Sequence, residues 1–147
     1  MTDLLIVAHA PVASALLVVA EHAYAGCSAR VRALDVQADE PPEQVAARLR
    51  ALLGPQDTLI LADAFGATPC NVASQVADGT HVRVVSGVNV PMLWRVLCYA
   101  QEPLDALVAR AVAGGAQGCM PLAAVRPQSP VGTARGAPHD QGHVHDQ

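Results

Sequence analysis

A chain of 147 residues, 52% of them apolar and 15% charged, has the length of one domain and a composition that excludes disorder throughout. The formal net charge is −4, the nine basic residues are all Arg and stand scattered, and aromatics make up 3%. Binding to a duplex needs clustered positive charge and binding to single strands needs aromatic platforms, so no nucleic-acid partner is expected.

Between Asp3 and Glu21 no acid or Arg occurs, a run approaching bilayer-spanning length. It follows an acid rather than a basic stretch, and His9 and Pro11 interrupt it, so direct membrane insertion is not expected. The run divides into a strand, Leu4 to Ala8, and a helix from Pro11 to about Tyr24 with Gly26 as C-cap. Val31 to Val36 is the second strand. Pro41 and Pro42 open a helix that carries Val45, Leu49, Leu52 and Leu53 on one side and closes at Gly54. TLILA (58–62) is an uninterrupted apolar strand followed by Asp63. Thr68 and Pro69 read as N-cap and N1 of a short helix to about Val76. HVRVVS (81–86) is the fourth strand. Asn89 caps a helix bearing Met92, Leu93, Val96 and Leu97, and a further helix runs from about Pro103 to Ala113, stopped by Gly114 and Gly115. Cys119 to Val125 is expected as a short edge strand.

Beyond Val125 the composition turns to Pro, Gly, Gln and His, which cannot bury enough surface to offset ordering entropy. The expected division is therefore a folded domain over 1–125 and a disordered tail over 126–147. His139, His143 and His145, with Asp140 and Asp146, form at most a weak chelating set, and solvated, incidental histidines are the simpler reading. Cys27, Cys70, Cys98 and Cys119 contain no C-x-x-C pair, so neither a zinc ribbon nor a thioredoxin motif is available. Reduced thiols in the cytoplasm are expected, with no metal and no cofactor.

Alternating strands and helices, with near-continuous apolar strands, predict an α/β fold: a mainly parallel open sheet with helices on both faces. In a flavodoxin-like strand order the ligand crevice opens between strands one and three, beyond their carboxyl ends. His9 leaves strand one there and Asp63 leaves strand three, so the topology brings an imidazole and a carboxylate to one crevice. An Asp63 carboxylate accepting the Nδ1 proton fixes the tautomer and leaves Nε2 with a lone pair. Such a nitrogen can attack phosphorus and hold a phosphoryl group. Gly66, Ala67 and Thr68 lead into a helix start whose free N–H groups suit an anion, and Cys70 and Asn71 complete its first turn. Cys70 is also the right size for a small buried filler.

The opposing energies are comparable. A carboxylate about 6 Å from the phosphoryl charge costs roughly 3 kcal/mol per unit charge at an effective dielectric near 20. A helix end returns about 0.3–2 kcal/mol, and each hydrogen bond to the anion about 1.5–3 kcal/mol. The balance favours a labile carrier over a sink.

The segments LLIVAHA around His9, LADAFGATPCNVAS (61–74) and SGVNVPML (86–93), in this order and spacing, resemble the mannose-family enzyme IIA domain of the bacterial phosphoenolpyruvate-dependent sugar phosphotransferase system. The resemblance covers approximately residues 3–125. It implies that His9 accepts a phosphoryl group from phospho-HPr and passes it to a IIB-type acceptor, that Asp63 orients His9, and that Thr68 helps bind the phosphoryl group. It also implies a homodimer exchanging an antiparallel final strand, here Cys119 to Val125. Ala10 and Pro11, the Phe65-Gly66-Ala67 run and Cys70 depart from the family pattern. Other readings of the same residues are a phosphorylation-state sensor uncoupled from transport, the phosphotransfer subunit of dihydroxyacetone kinase, and a small hydrolase, which lacks a G-x-S-x-G elbow.

Overall fold

Four apolar runs become the four strands of the computed structural model, which describes residues 1–26 and 30–123. These are β1 (Asp3–His9), β2 (Val31–Val36), β3 (Thr58–Ala62) and β4 (Val82–Ser86). All pairings are parallel and the sheet order is β2-β1-β3-β4. The two central strands carry the most continuous apolar sequence, because a strand flanked on both sides and covered on both faces meets no water. Every residue of β3 is buried.

Five helices cover the sheet: α1 (Val12–Ala23), α2 (Pro42–Leu52), α3 (Thr68–Val76), α4 (Val90–Cys98) and α5 (Leu104–Gln117). Side-chain alternation along β1 separates two cores. Leu4, Ile6 and Ala8 pack with α1, α4 and α5 through residues such as Ala20, Leu93 and Leu107. Leu5 and Val7 pack on the other face with α2 and α3 through Val45, Leu49 and Val72. At about 1.5–3 kcal/mol for each fully buried Leu, Ile or Val side chain, these two layers dominate the favourable side of folding.

Three element ends differ from the sequence expectation. The helix after β1 is capped at Tyr24, whose N–H reaches Ala20 O, rather than at Gly26. The N-cap of α3 is Ala67, with Thr68 already inside the helix and Pro69 next, so the cap lies one residue earlier and no side chain closes it. Gly114 and Gly115 do not stop α5, which continues to Gln117. They lie where α5 crosses α4: a Cβ on Gly114 would sit 2.6 Å from Arg95 Cβ, and one on Gly115 2.7 Å from Met92 Cε. The absent side chains let the two helices approach.

The expected edge strand is corrected as well. Residues 119–123 form no strand, and Met120 and Leu122 are exposed. The longer α5 takes up the residues that would have turned the chain back, and the described sheet is wholly parallel. Ala124, Val125, the 126–147 tail and Cys27 lie outside the described residues. Among the described residues, no helix is long and apolar enough to cross a membrane.

Candidate functional site

The crevice arises because the chain leaves β1 and β3 towards opposite faces of the sheet. From β1 it enters α1 on one face, and from β3 it enters α3 on the other. The β1–β3 ladder ends at Val7 and Ala62, whereas β1 stays paired with β2 as far as His9 opposite Val36. The Asp63 carboxylate takes up the next β1 amide: His9 N–H donates to Asp63 Oδ2 at 2.9 Å.

The same oxygen lies 2.6 Å from His9 Nδ1. Two residues 54 positions apart therefore meet side chain to side chain. Ala64 N–H donates to the other carboxylate oxygen at 2.8 Å, so the acid is held at both oxygens. Burial raises the Asp63 pKa, but the bonds from the His9 amide, the His9 ring and the Ala64 amide outweigh it and hold the carboxyl below its ordinary 3.8. The acid stays ionised and, in the neutral imidazole, accepts the Nδ1 proton. Nε2 then carries the lone pair. The His9 side chain is 51% exposed and that of Asp63 16%, so the imidazole is oriented from within the fold while its ring stays open to solvent.

The loop after Asp63 is built by its own hydrogen bonds. Ala67 N–H donates to Ala64 O at 3.2 Å, and Asn71 Nδ2 donates to Gly66 O at 3.1 Å. Gly66 has φ +85°, a left-handed conformation that a side chain would strain. Asn71 N–H returns to Ala67 O, closing the first helical bond. Helix geometry leaves the amides of Thr68 and Cys70 without an intrahelical acceptor, while Pro69 has no N–H. The Cys70 side chain is buried at 4% exposure, whereas Thr68 and Asn71 are exposed. Sequence reasoning thus named residues that lie together, with one difference: Cys70 is buried, as a small filler would be, whereas Thr68 and Asn71 face solvent.

One residue that the sequence reading passed over frames the site. Asp35, in register with Ala8, accepts from Ser14 N–H at 3.1 Å and from the Ser14 hydroxyl. It satisfies an amide in the first turn of α1, whose own N-cap, Pro11, offers no side-chain acceptor. A lone acid in the strand VRALDV was the available signal. The cap at Asn89 was read correctly: its Oδ1 accepts from Met92 N–H at 2.8 Å. Val88 N–H then reaches back to Ala62 O at 2.9 Å, closing the other flank of the crevice. Among the described residues no cluster of His, Cys, Asp and Glu is arranged to hold a metal ion.

The chain matches the EIIA-man family, described as the PTS system fructose IIA component, over residues 3–112. It is 37% identical over 112 residues to the PTS system mannose-specific EIIAB component of Escherichia coli K12, covering 71% of this chain and 33% of that protein. It therefore spans about one third of the length of the curated relatives it matches. Among solved structures, the mannose/sorbose-specific IIA subunit from Enterococcus faecalis superimposes with a TM-score of 0.79 at 26% identity, covering 86% of this chain and 98% of that one. The phosphotransferase system component EIIA from Streptococcus agalactiae gives 0.74 at 27% identity, covering 82% and 97%.

Proposed function

The chain belongs to the mannose-family EIIA domains of the sugar phosphotransferase system, and from that premise we propose that it carries a phosphoryl group on Nε2 of His9. The observation that carries this reading is the 2.6 Å contact between His9 Nδ1 and Asp63 Oδ2 at the mouth of the β1–β3 crevice. Phospho-HPr is the donor and a IIB-type protein the acceptor.

In the forward step the P–N bond of the donor phosphohistidine breaks as a bond forms between phosphorus and Nε2 of His9. The donor imidazole leaves with the electron pair. The Nδ1 proton of His9 stays in its bond to Asp63, whose charge stabilises the cationic character that the ring gains. Transfer to the acceptor is the same step in reverse at a second protein. The amides of Thr68 and Cys70, the Thr68 hydroxyl, and the Gly66–Ala67 backbone receive the phosphoryl oxygens, at the positive end of α3. Asn71 serves by holding Gly66 O. The domain works in the cytoplasm as a homodimer on this reading, and sedimentation of the purified chain reports the oligomeric state.

The test is incubation with phosphoenolpyruvate, enzyme I and HPr. One acid-labile phosphate per chain is expected, mapping to His9 by mass spectrometry, and none on His9→Ala. A label that persists in His9→Ala removes the assignment.

A further inference from the structure

A cavity of about 240 Å³ lies at the amino end of the sheet, at the other end of the strands from His9. Its wall is the margin of the core between the sheet and the α4–α5 pair. Leu4 and Leu59 come from the starts of β1 and β3, Leu97 from the last turn of α4 and Leu107 from the first turn of α5, and all four are buried. Protein interiors keep few voids larger than a water molecule, because a lining without partner atoms forfeits its dispersion contacts. Here two small residues, Gly26 and Ala100, stand where larger ones would fill the space, and a Cβ on Gly26 would meet nothing within 4 Å.

The rim of this apolar hollow is charged, and the charges do not cancel. Asp3 is the only acid among the described residues that line it. Both of its oxygens are engaged: Arg32 Nη2 donates to Oδ2 at 2.8 Å, and Arg30 Nη1 lies 3.7 Å from Oδ1. At that distance Arg30 makes an ion pair but no hydrogen bond, so its guanidinium keeps donors for another acceptor. Two guanidinium groups on one carboxylate leave a positive charge over, on a side chain that is 42% exposed at the edge of the cavity. A cationic head would compete with both arginines for Asp3, whereas an anionic head meets the donors left on Arg30. The volume limits the body. It falls just below the usual range of roughly 300–1,000 Å³ for small-molecule sites, and an apolar cavity of about 150 Å³ takes benzene, so roughly six to ten carbon atoms fit.

We infer that this cavity binds a small amphipathic monocarboxylate, its apolar body among Leu4, Leu59, Leu97 and Leu107 and its carboxylate on Arg30. The site is separate from the His9 crevice and does not depend on the phosphocarrier reading.

The experiment titrates the full chain with octanoate, and with octanol and octylamine as neutral and cationic probes of the same length, followed by methyl NMR and by the thermal midpoint. Octanoate is expected to bind saturably, to shift the methyl signals of the four leucines, and to raise the midpoint as a ligand of the folded state does. Octanol and octylamine should bind more weakly. Arg30→Gln should weaken octanoate roughly 3- to 10-fold and leave octanol unchanged, while Ala100→Leu, which fills the cavity, should abolish binding of both. His9→Ala should bind octanoate like the original chain. Absence of saturation below about 10 mM octanoate overturns the site. Octanol or octylamine binding as tightly as octanoate, or an unchanged octanoate affinity in Arg30→Gln, overturns the carboxylate assignment. Binding that survives in Ala100→Leu, or that is lost in His9→Ala, places the ligand elsewhere and overturns the site as well.

Discussion

Among the described residues, two His–Asp pairs lie at opposite ends of one sheet, and they differ in almost everything but composition. At the carboxyl end, His9 Nδ1 meets Asp63 at 2.6 Å; at the amino end, His81 Nδ1 meets Asp57 Oδ1 at 2.8 Å. Asp63 is 16% exposed and fixed by three donors, whereas Asp57 is 47% exposed and His81 74%. Helices α1 to α4 each follow a strand and run antiparallel to it, so their positive ends lie at the His9 end of the sheet and their negative ends at the His81 end. The hydrogen bond to Asp57, then its charge, raises the His81 pKa above 6.5. That favours imidazolium, which has no lone pair for attack. Two His–Asp contacts of similar length thus sit in different electrostatic surroundings, and on the phosphocarrier reading only that of His9 suits a nucleophile.

The sharpest way to break this comparison is to delete each imidazole in turn. His9→Ala should abolish phosphoryl labelling completely, while His81→Ala leaves it unchanged. Labelling lost in both would make the two ends equivalent and defeat the argument from helix polarity. Neutralising the acids is the next step. Asp63→Asn is expected to slow transfer from phospho-HPr roughly 10- to 100-fold, as loss of an orienting partner does elsewhere, with Asp57→Asn showing no effect. Stopped-flow transfer rates decide it.

Stability should distinguish the two ends less strongly. Asp35→Ala removes the acceptor for Ser14 at the start of α1 and should cost about 1 kcal/mol in urea unfolding. Asp57→Ala, at an exposed pair, should leave the unfolding midpoint nearly unmoved.

The smallest effect concerns pH. A raised His81 pKa contributes stability that is full below 6.5 and lost as pH rises through the folded value. The lowered Asp63 pKa works the other way: its contribution is present above 3.8 and lost as pH falls through the folded value. In Asp57→Asn the His81 ring should titrate closer to 6.5, read from its proton shifts by NMR, and an unchanged titration would assign the shift to other causes.

Much of the fold was legible in the chain itself. TLILA and LLIVA have the length and continuous apolarity of strands covered on both faces, and the alternation of strand and helix then argues for parallel pairing. The meeting of His9 and Asp63 followed from that topology, because the switch point of such a sheet lies where strands one and three end. Asn89 announced its helix by side-chain chemistry. Thr68 misled by one position, since Pro suits either N1 or N2 and the Gly66 turn delivers the chain into the helix a residue earlier than the Thr-Pro pair suggests.

What only the tertiary structure decided depends on neighbours that no local pattern encodes. Gly114 and Gly115 read as helix stops, yet they are contact points where α4 lies against α5. Asp35 went unread in its strand, because its partner Ser14 stands 21 residues away in sequence and only the fold brings the two together. His9 and His81 carry the same side chain, and only the placement of helix ends and of backbone amides on their Asp partners sets the two pairs apart. Sequence determines these elements because hydrophobic periodicity is a local property of the chain. Site chemistry is decided later, because electric fields and hydrogen-bond partners are properties of the assembled fold.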